Sequence, residues 1–265
     1  NTALAILHST AIIKNLDPKA VIVTMPSDHF IGSTPKFKSD ILKAAILASH
    51  SNSIVTIGIK ASSPNPSYGY IVHQQSRVTQ FIEKPDAASA QKLIDKNALW
   101  NSGIYTFAVS TLETELSKLN QNYYRLYQKL LSPKPEAVKQ VYRLSENLPI
   151  DKVISEKSKN MLVINAAFPW SDVGDWKSIY QLKKQSNGFA VLNPKTNFLE
   201  VNSRHCLISG SPKKLIGLVG VNNLAIIDTS DALLICNIAH QDSYNVRDLV
   251  SKIVGNSKTK KYFLK

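Results

Sequence analysis

The sequence predicts an α/β core followed by a smaller β-rich module, and three observations carry that expectation. The run Val21-Ile22-Val23-Thr24-Met25 is short, apolar and largely β-branched, and it breaks at Pro26, as a buried strand would. Ser33 or Thr34 followed by Pro35 reads as a helix start, and Phe37, Ile41, Ala44, Ala45 and Ala48 then recur at helical spacing. From about Gly188 the pattern changes to short β segments separated by turns, at 189–192, 198–202, 206–209, 215–221, 224–228 and 232–237. The expected division is 1–187 for the core and 188–265 for the module.

The remaining core elements follow in order. Residues 53–59 alternate Ile and Val with small polar residues and read as a strand. A Pro- and Ser-rich loop, 62–67, leads to Tyr68-Gly69-Tyr70, and strands at 70–74 and 77–82 are expected to form a hairpin. A short helix over 88–96 precedes Trp100-Asn101-Ser102-Gly103 and a strand at 104–109. Ser110 and Glu113 have capping-box spacing, opening a helix with Leu112, Leu116 and Leu119 on its core face. A helix is expected from about Asp175, and another over 246–254. No internal repeat of solenoid length is evident.

Composition narrows the function classes. A chain of 265 residues with 43% hydrophobic content can bury a substantial core. No apolar stretch approaches the roughly 20 residues that span a bilayer, and the first residues lack the pattern of a secretory signal, so a cytoplasmic protein without a membrane partner is expected. Cys206 and Cys236 have no metal-ligand spacing and read as reduced thiols, and the six His include no H-x-x-x-H pair, so zinc chemistry is not expected. The net charge of +13 favours anionic partners somewhere on the surface. Its densest cluster is the tail from Lys258 to Lys265, expected to be a solvated terminus. No motif supports nucleic-acid binding.

Four short segments concentrate polar residues near strand ends: Pro26-Ser27-Asp28-His29, Phe81-Ile82-Glu83-Lys84-Pro85, Trp100-Asn101-Ser102-Gly103 and Trp170-Ser171-Asp172-Val173-Gly174. In open α/β sheets ligands occupy the crevice beyond the carboxyl ends of strands, where Asp28 is expected. Taken singly, each has a plain structural reading. Asp28 or Asn101 would cap a turn, Gly69 would be a turn glycine, and Glu83-Lys84 would be an exposed charge pair.

In sequence order, these segments resemble the nucleotidyltransferases that make nucleotide sugars, most closely the bacterial mannose-1-phosphate guanylyltransferases. Asn1-Thr2-Ala3-Leu4-Ala5 is similar to the family's N-T-A-P-A, Pro26 to His29 to P-A-D-H, and Tyr68 to Ile71 to G-Y-G-Y-I. Phe81 to Asp86 resembles F-x-E-K-P-D, Trp100 to Ile104 resembles W-N-S-G-x, and Ile150-Asp151 with Glu156-Lys157 resembles S-I-D-x-x-V-M-E-K. Trp170 to Trp176 resembles W-S-D-V-G-S-W, with Asp175 in place of Ser, and 219–234 resembles a later family stretch ending D-T-x-D-A-L-L.

The resemblance implies a Rossmann-like, GT-A-like mixed sheet flanked by helices, with a β-helix-like C-terminal module. It implies transfer of a guanylyl group from GTP to mannose 1-phosphate. Carried over by position, Asp28 and Asp172 would bind Mg2+ and Lys84 would neutralise phosphate charge. Glu83 and Asn101, aided by backbone at Gly69 and Tyr70, would hold the sugar. Similar enzymes are commonly dimers or larger, so a homodimer is compatible with it. The family's glycine-rich loop, G-G-x-G-x-R-L-x-P-L, belongs upstream of the N-T-A-P-A segment and does not occur in these residues. The expectation is therefore a truncated or degenerate relative. A noncatalytic nucleotide-sugar or sugar-phosphate binder, or a transferase using another sugar or nucleotide, is the alternative.

Overall fold

A computed structural model describes residues 2–132, 134–238 and 243–262. Packing divides the chain into two units, Asn1–Trp170 and Ser171–Lys265. The first unit runs α1 (Thr2–Leu16), β1 (Val21–Thr24), β2 (Phe30–Ile31), α2 (Thr34–Ser51), β3 (Ile54–Lys60), β4 (Tyr70–Gln74), β5 (Arg77–Ile82), α3 (Ala87–Asp95), β6 (Leu99–Ala108), α4 (Val109–Leu119), α5 (Gln121–Leu130), α6 (Pro135–Leu144), a π-helical turn (Asp151–Ser155) and β7 (Met161–Asn165). β8 (Trp170–Ser171) straddles the division. The second unit continues with α7 (Trp176–Lys183), β9 (Ala190–Val191), β10 (Asn197–Val201), β11 (Leu207–Ser209), β12 (Leu215–Val219), β13 (Leu224–Asp228), β14 (Leu233–Asn237) and α8 (Ser243–Gly255).

The first unit is built on a six-stranded mixed sheet in the order β1-β6-β3-β7-β5-β4. β3 and β7 are parallel, while β6 lies antiparallel to both β1 and β3. β3 is buried over Ile54–Ile59 because both its faces are covered. Ile54 packs with Leu4 and Leu7 of α1 and with Leu112, Leu116, Tyr123 and Tyr127 of α4 and α5. Val55, Ile57 and Ile59 face Ala44 and Ala48 of α2, together with Phe168. Small residues on α2 let its backbone approach the sheet closely. Burying each large aliphatic side chain in these layers contributes about 1.5–3 kcal/mol.

Several sequence expectations meet local corrections. β6 begins at Leu99, so Trp100 to Gly103 lies inside a strand, and the β3–β6 register shifts between Thr56 and Gly58 beside it. The Ser110/Glu113 capping box does not form: α4 starts at Val109 with Ala108 at its N-cap and no side-chain cap, and Glu113 instead pairs with Lys14 of α1. Asp175, the residue that departs from the family pattern, caps α7 by accepting the Ser178 N–H at 2.7 Å. Phe263, Leu264 and Lys265 of the basic tail lie outside the described residues.

The second unit holds a repeat that the sequence did not reveal. β9, β11 and β13 are parallel neighbours, with Ala190 beside Leu207 and Leu207 beside Ala225, steps of 207 − 190 = 17 and 225 − 207 = 18 residues. β10 and β12 are likewise parallel, Asn197 beside Leu215, a step of 215 − 197 = 18 residues. Each coil therefore stacks on the next with a period of 17–18 residues, and β14 closes β13 antiparallel. Alternate residues cover its two faces: Ala190, Leu207 and Ala225 pack with Tyr180 of α7, and Cys206, Ile208 and Ile226 pack with Phe198 and Ile216 of β10 and β12 inside the coil. Both cysteines are free; Cys206 is buried and Cys236 partly so.

One buried charge fixes the path that leaves β7. Asp40 of α2 is 1% exposed; its Oδ2 accepts the Ala167 N–H at 2.7 Å, and Oδ1 takes the Lys43 ammonium at 3.0 Å. This tether holds the segment that leads to Trp170. Replacing Asp40 with Ala would leave a backbone donor without its partner, at a cost of about 1–3 kcal/mol. The expected result for Asp40→Ala is a lower urea midpoint with the slope of the transition unchanged; an unaltered midpoint would show that the tether contributes nothing.

Candidate active site

Strand register assembles the central cluster. Tyr70 of β4 sits opposite Ile82 of β5 and opposite Trp100 of β6, so Gly69, one step before β4, falls between Glu83 and Asn101. The Asn101 N–H donates to the Gly69 carbonyl at 2.8 Å. A Cβ on Gly69 would lie 2.5 Å from Glu83 Oε2 and 3.3 Å from the Asn101 Cβ. The missing side chain at Gly69 is therefore the space that the Glu83 carboxylate uses. Sequence alone offers a ligand approach or a simple turn for this glycine; what the structure shows is room for a neighbouring carboxylate.

The Asn101 side chain is committed inward. Its Nδ2 donates to Asp151 Oδ1 at 3.0 Å and to the Tyr105 hydroxyl at 3.1 Å, which uses both amide hydrogens. Its Oδ1 accepts the Gly103 N–H at 3.1 Å. Tyr105 is buried, and its hydroxyl donates to Asp151 Oδ1 while accepting from Ser155 Oγ at 3.2 Å. Burial, followed by the Asp151 charge, raises the Tyr105 pKa well above the phenol range, so the hydroxyl stays protonated and remains a donor. Both amide hydrogens of Asn101 thus point into the protein, and the side chain ties Asp151 and Tyr105 to the Gly103 backbone.

Glu83 is half-buried, and its pKa is pushed up to about 7. Burial is the larger cause, the neighbouring Asp151 charge adds to it, Lys84 and Lys152 oppose it, and Glu156 adds a little more. The Glu83 N–H donates to Glu156 Oε1 at 3.3 Å, and Lys152 reaches the same oxygen at 2.7 Å. Lys84 is exposed, its ammonium 3.9 Å from Glu83 Oε1, and its backbone sits at φ 49° in the left-handed region. Such a conformation costs a side-chain-bearing residue on the order of 1 kcal/mol and persists where surrounding structure imposes it. Tyr70 is fully buried, and its hydroxyl bonds the backbone of Asn65, so its side chain is committed inside the sheet.

Asp28 is exposed in the bend between β1 and β2, at the carboxyl end of its strand as the sequence suggested. Its neighbour His29 accepts the Trp170 indole N–H at 3.1 Å, and the Gly32 N–H donates to the Pro169 carbonyl at 2.8 Å. Edge-to-face ring contacts run from His29 to Trp170 (5.1 Å), Trp170 to Tyr68 (5.6 Å) and Tyr68 to Trp100 (4.9 Å). This line of rings joins the Asp28 bend to the residues flanking Gly69 and Asn101. Asp172 belongs to the second unit. There its Oδ1 accepts the Gly174 N–H at 3.3 Å across Val173, whose φ of 52° is a costly conformation for a β-branched residue.

Among the described residues, no group of three or more His, Cys, Asp and Glu side chains forms a metal cage, and no helix is long and apolar enough to cross a membrane. Sequence reasoning missed Asp151, Tyr105 and Ser155 as parts of the cluster. Ile150-Asp151 stands out in the sequence only as a motif, and nothing in its spacing shows that Asp151 meets Asn101, which lies 50 residues away.

The nucleotidyl transferase family matches residues 1–187, and the MannoseP isomerase/GMP-like beta-helix domain matches residues 196–253. A mannose-1-phosphate guanylyltransferase of Escherichia coli is 30% identical across 96% of this chain and 57% of that protein. The alginate biosynthesis protein AlgA of Pseudomonas putida is 28% identical across 98% of this chain and 55% of its own length. The chain thus spans a little over half the length of these relatives. Among solved structures, one described as a mannose-1-phosphate geranyltransferase from Thermus thermophilus superposes with a TM-score of 0.85 at 23% identity, covering 95% of this chain and 75% of that one. A mannose-6-phosphate isomerase from Helicobacter pylori superposes with a TM-score of 0.58 at 26% identity, over 64% of this chain and 70% of that one.

The raised Glu83 pKa has a sign that can be checked. Between pH 4.5 and about 7 the folded chain keeps a proton on Glu83 that the unfolded chain has lost, so stability falls as pH rises through that window. At about 1.4 kcal/mol per pH unit the loss has an upper limit of about 3 kcal/mol, and the water that reaches this half-buried group lowers it. Glu83→Gln removes it: the stability difference between variant and parent is expected to swing in the variant's favour from pH 4.5 to about 7, measured by urea unfolding. A difference that stays flat across this range would contradict the shifted titration.

Proposed function

The chain belongs to the nucleotidyl transferase family, and from that premise we propose that it is the catalytic part of a mannose-1-phosphate guanylyltransferase. In the proposed reaction a phosphate oxygen of mannose 1-phosphate attacks the α-phosphorus of GTP, forming GDP-mannose and releasing pyrophosphate. The names of the similar proteins support the choice of substrates. The observation that carries the reading is the register-built cluster of Gly69, Glu83 and Asn101 with Lys84 projecting beside it.

In-line phosphoryl chemistry asks a protein for position and charge neutralisation rather than for a covalent partner. Lys84, exposed at the strand exit, places a cation where the sugar phosphate would lie, and Glu83 accepts sugar hydroxyls beneath it. Gly69 and Tyr70 contribute main chain. Asn101 keeps the Gly69 carbonyl in line. Asp28 and Asp172 are the proposed ligands of Mg2+. Carboxylate oxygens with room for substrate phosphates suit this hard ion, which is commonly held by one or two carboxylates and does not need a protein cage. When bound, Mg2+ would neutralise charge on the reacting phosphates. Support for the pair comes from the motifs that carry them, Pro26 to His29 and Trp170 to Trp176, both in the order of the family.

In the native polypeptide containing this chain, GTP, mannose 1-phosphate and Mg2+ are expected to yield GDP-mannose. Asp28→Asn and Asp172→Asn should each lower kcat by about a thousandfold, the scale of a lost transition-state electrostatic contact, with folding intact by circular dichroism. Normal turnover in either variant would remove that carboxylate from the mechanism. Calorimetric binding of GDP-mannose without any turnover by the parent protein would identify a noncatalytic binder instead.

A further inference from the structure

A cleft of about 400 Å³ opens in the first unit between α5, the end of α6 and the chain just beyond the π-helical turn. Asn122, Arg125, Leu126 and Lys129 recur at three- and four-residue spacing, so they share one face of α5 and form one wall. Leu144, Glu146 and Leu148 line another part of it, and Lys157 enters from beyond the turn. Hydrogen bonds hold the cleft in shape. Asn120 Oδ1 accepts the Tyr123 N–H at 3.2 Å and caps α5, and the hydroxyl of the buried Tyr123 donates to the Glu146 carbonyl at 2.6 Å, which ties the segment after α6 to α5. The Leu148 carbonyl in turn accepts the Ala3 N–H of α1 at 3.3 Å.

Three cations and one carboxylate line this volume, and among the described residues none of Arg125, Lys129 and Lys157 takes part in an ion pair or a side-chain hydrogen bond. Arg125 and Lys129 stand four residues apart on one helix face, where like charges repel, so an anion seated between them relieves a cost the fold already bears. We propose that the cleft is a second ligand site, for a nucleotide, with its phosphates on Arg125, Lys129 and Lys157 and its ring against Leu126, Leu144 and Leu148. An Arg fork matches phosphate oxygens two at a time, and the Lys ammonium groups add point charges. The volume falls within the roughly 300–1,000 Å³ of small-molecule sites, more than a lone phosphate fills, and the leucines supply an apolar surface that a bare anion would not use. Such a site gives the net charge of +13 one definite place to act. It is separate from the Gly69, Glu83 and Asn101 cluster: it shares no lining residue with it, and Lys157 lies past a turn whose Val153, Ile154 and Ser155 are buried. The inference goes beyond the transferase reading and does not rest on it.

The test uses the native polypeptide containing this chain, with saturating GDP-mannose present, and takes ADP as the probe because the proposed transferase substrate is a guanine nucleotide. Calorimetric titration is expected to show binding of ADP, weaker binding of inorganic pyrophosphate and none of adenosine. Added salt should weaken the ADP complex. The double variant Arg125→Glu, Lys129→Glu and the single variant Lys157→Gln should each weaken ADP binding by about ten- to a hundredfold, on the scale of a charged hydrogen bond. Both α5 positions are exposed, so the double variant is expected to fold and to make GDP-mannose at the parent rate. Lys157→Gln lies on a different element and decides the question if the double variant does not fold. Absence of ADP binding, ADP binding undiminished in the variants, or pyrophosphate binding as tightly as ADP would overturn the proposal. Lost turnover in the folded double variant would overturn it too, by placing these cations in the transferase site. A parent protein that forms no GDP-mannose would sink the transferase reading, while ADP binding and its loss in the variants would still decide this inference.

Discussion

The hydrogen bond from the Asn101 N–H to the Gly69 carbonyl is the constraint on which the cluster depends. It locks the entry of β4 against β6 at the point where β5 delivers Glu83, so two strands and a chain reversal converge on one glycine. Any other residue at 69 would compete with the Glu83 carboxylate for the same volume. The partly buried acid, the left-handed Lys84 and the saturated Asn101 are consequences of that convergence, each tolerated because the surrounding sheet leaves no alternative.

Support for the cluster comes from behind the sheet. β3, buried on both faces, carries the Thr56 hydroxyl to within 3.4 Å of Asn101 Oδ1, and the π-helical turn brings Asp151 to the other end of the same amide. Residues whose hydrogen bonds are all spoken for do not rearrange cheaply, because each move strands a partner. Asp40 applies the same logic on the α2 side, where one buried carboxylate sets the exit path from β7 toward Trp170.

Much of the core was legible in the sequence because its signals are local. Proline after a β-branched run ended β1, Thr34-Pro35 opened α2, alternation gave β3, and the paired runs 70–74 and 77–82 formed the expected hairpin. Resemblance placed the family and the two-part architecture, which the family matches bear out. What stayed hidden depends on tertiary pairing. Asn101 looked like a strand-end polar residue, yet β6 extends through it because β3 and β4 supply partners on both sides. The Ser110/Glu113 box lost to a helix start two residues earlier and to the Lys14 ion pair. Asp151 carries no local mark of its place in the cluster, since its partners lie in a strand some 50 residues away. The coil repeat was concealed because its buried positions alternate between Ala, Leu and Ile, a weak pattern over so few turns.

That coil behaves differently from the sheet that precedes it. Each rung meets only the rungs directly above and below, so its cohesion is a sum over adjacent layers rather than a property of one closed core. Gain or loss of a whole turn would lengthen or shorten the stack while leaving the remaining ladders in phase. A fractional change would rotate every inward side chain toward water. This part of the molecule is therefore free to vary in length during evolution, but only in integral steps.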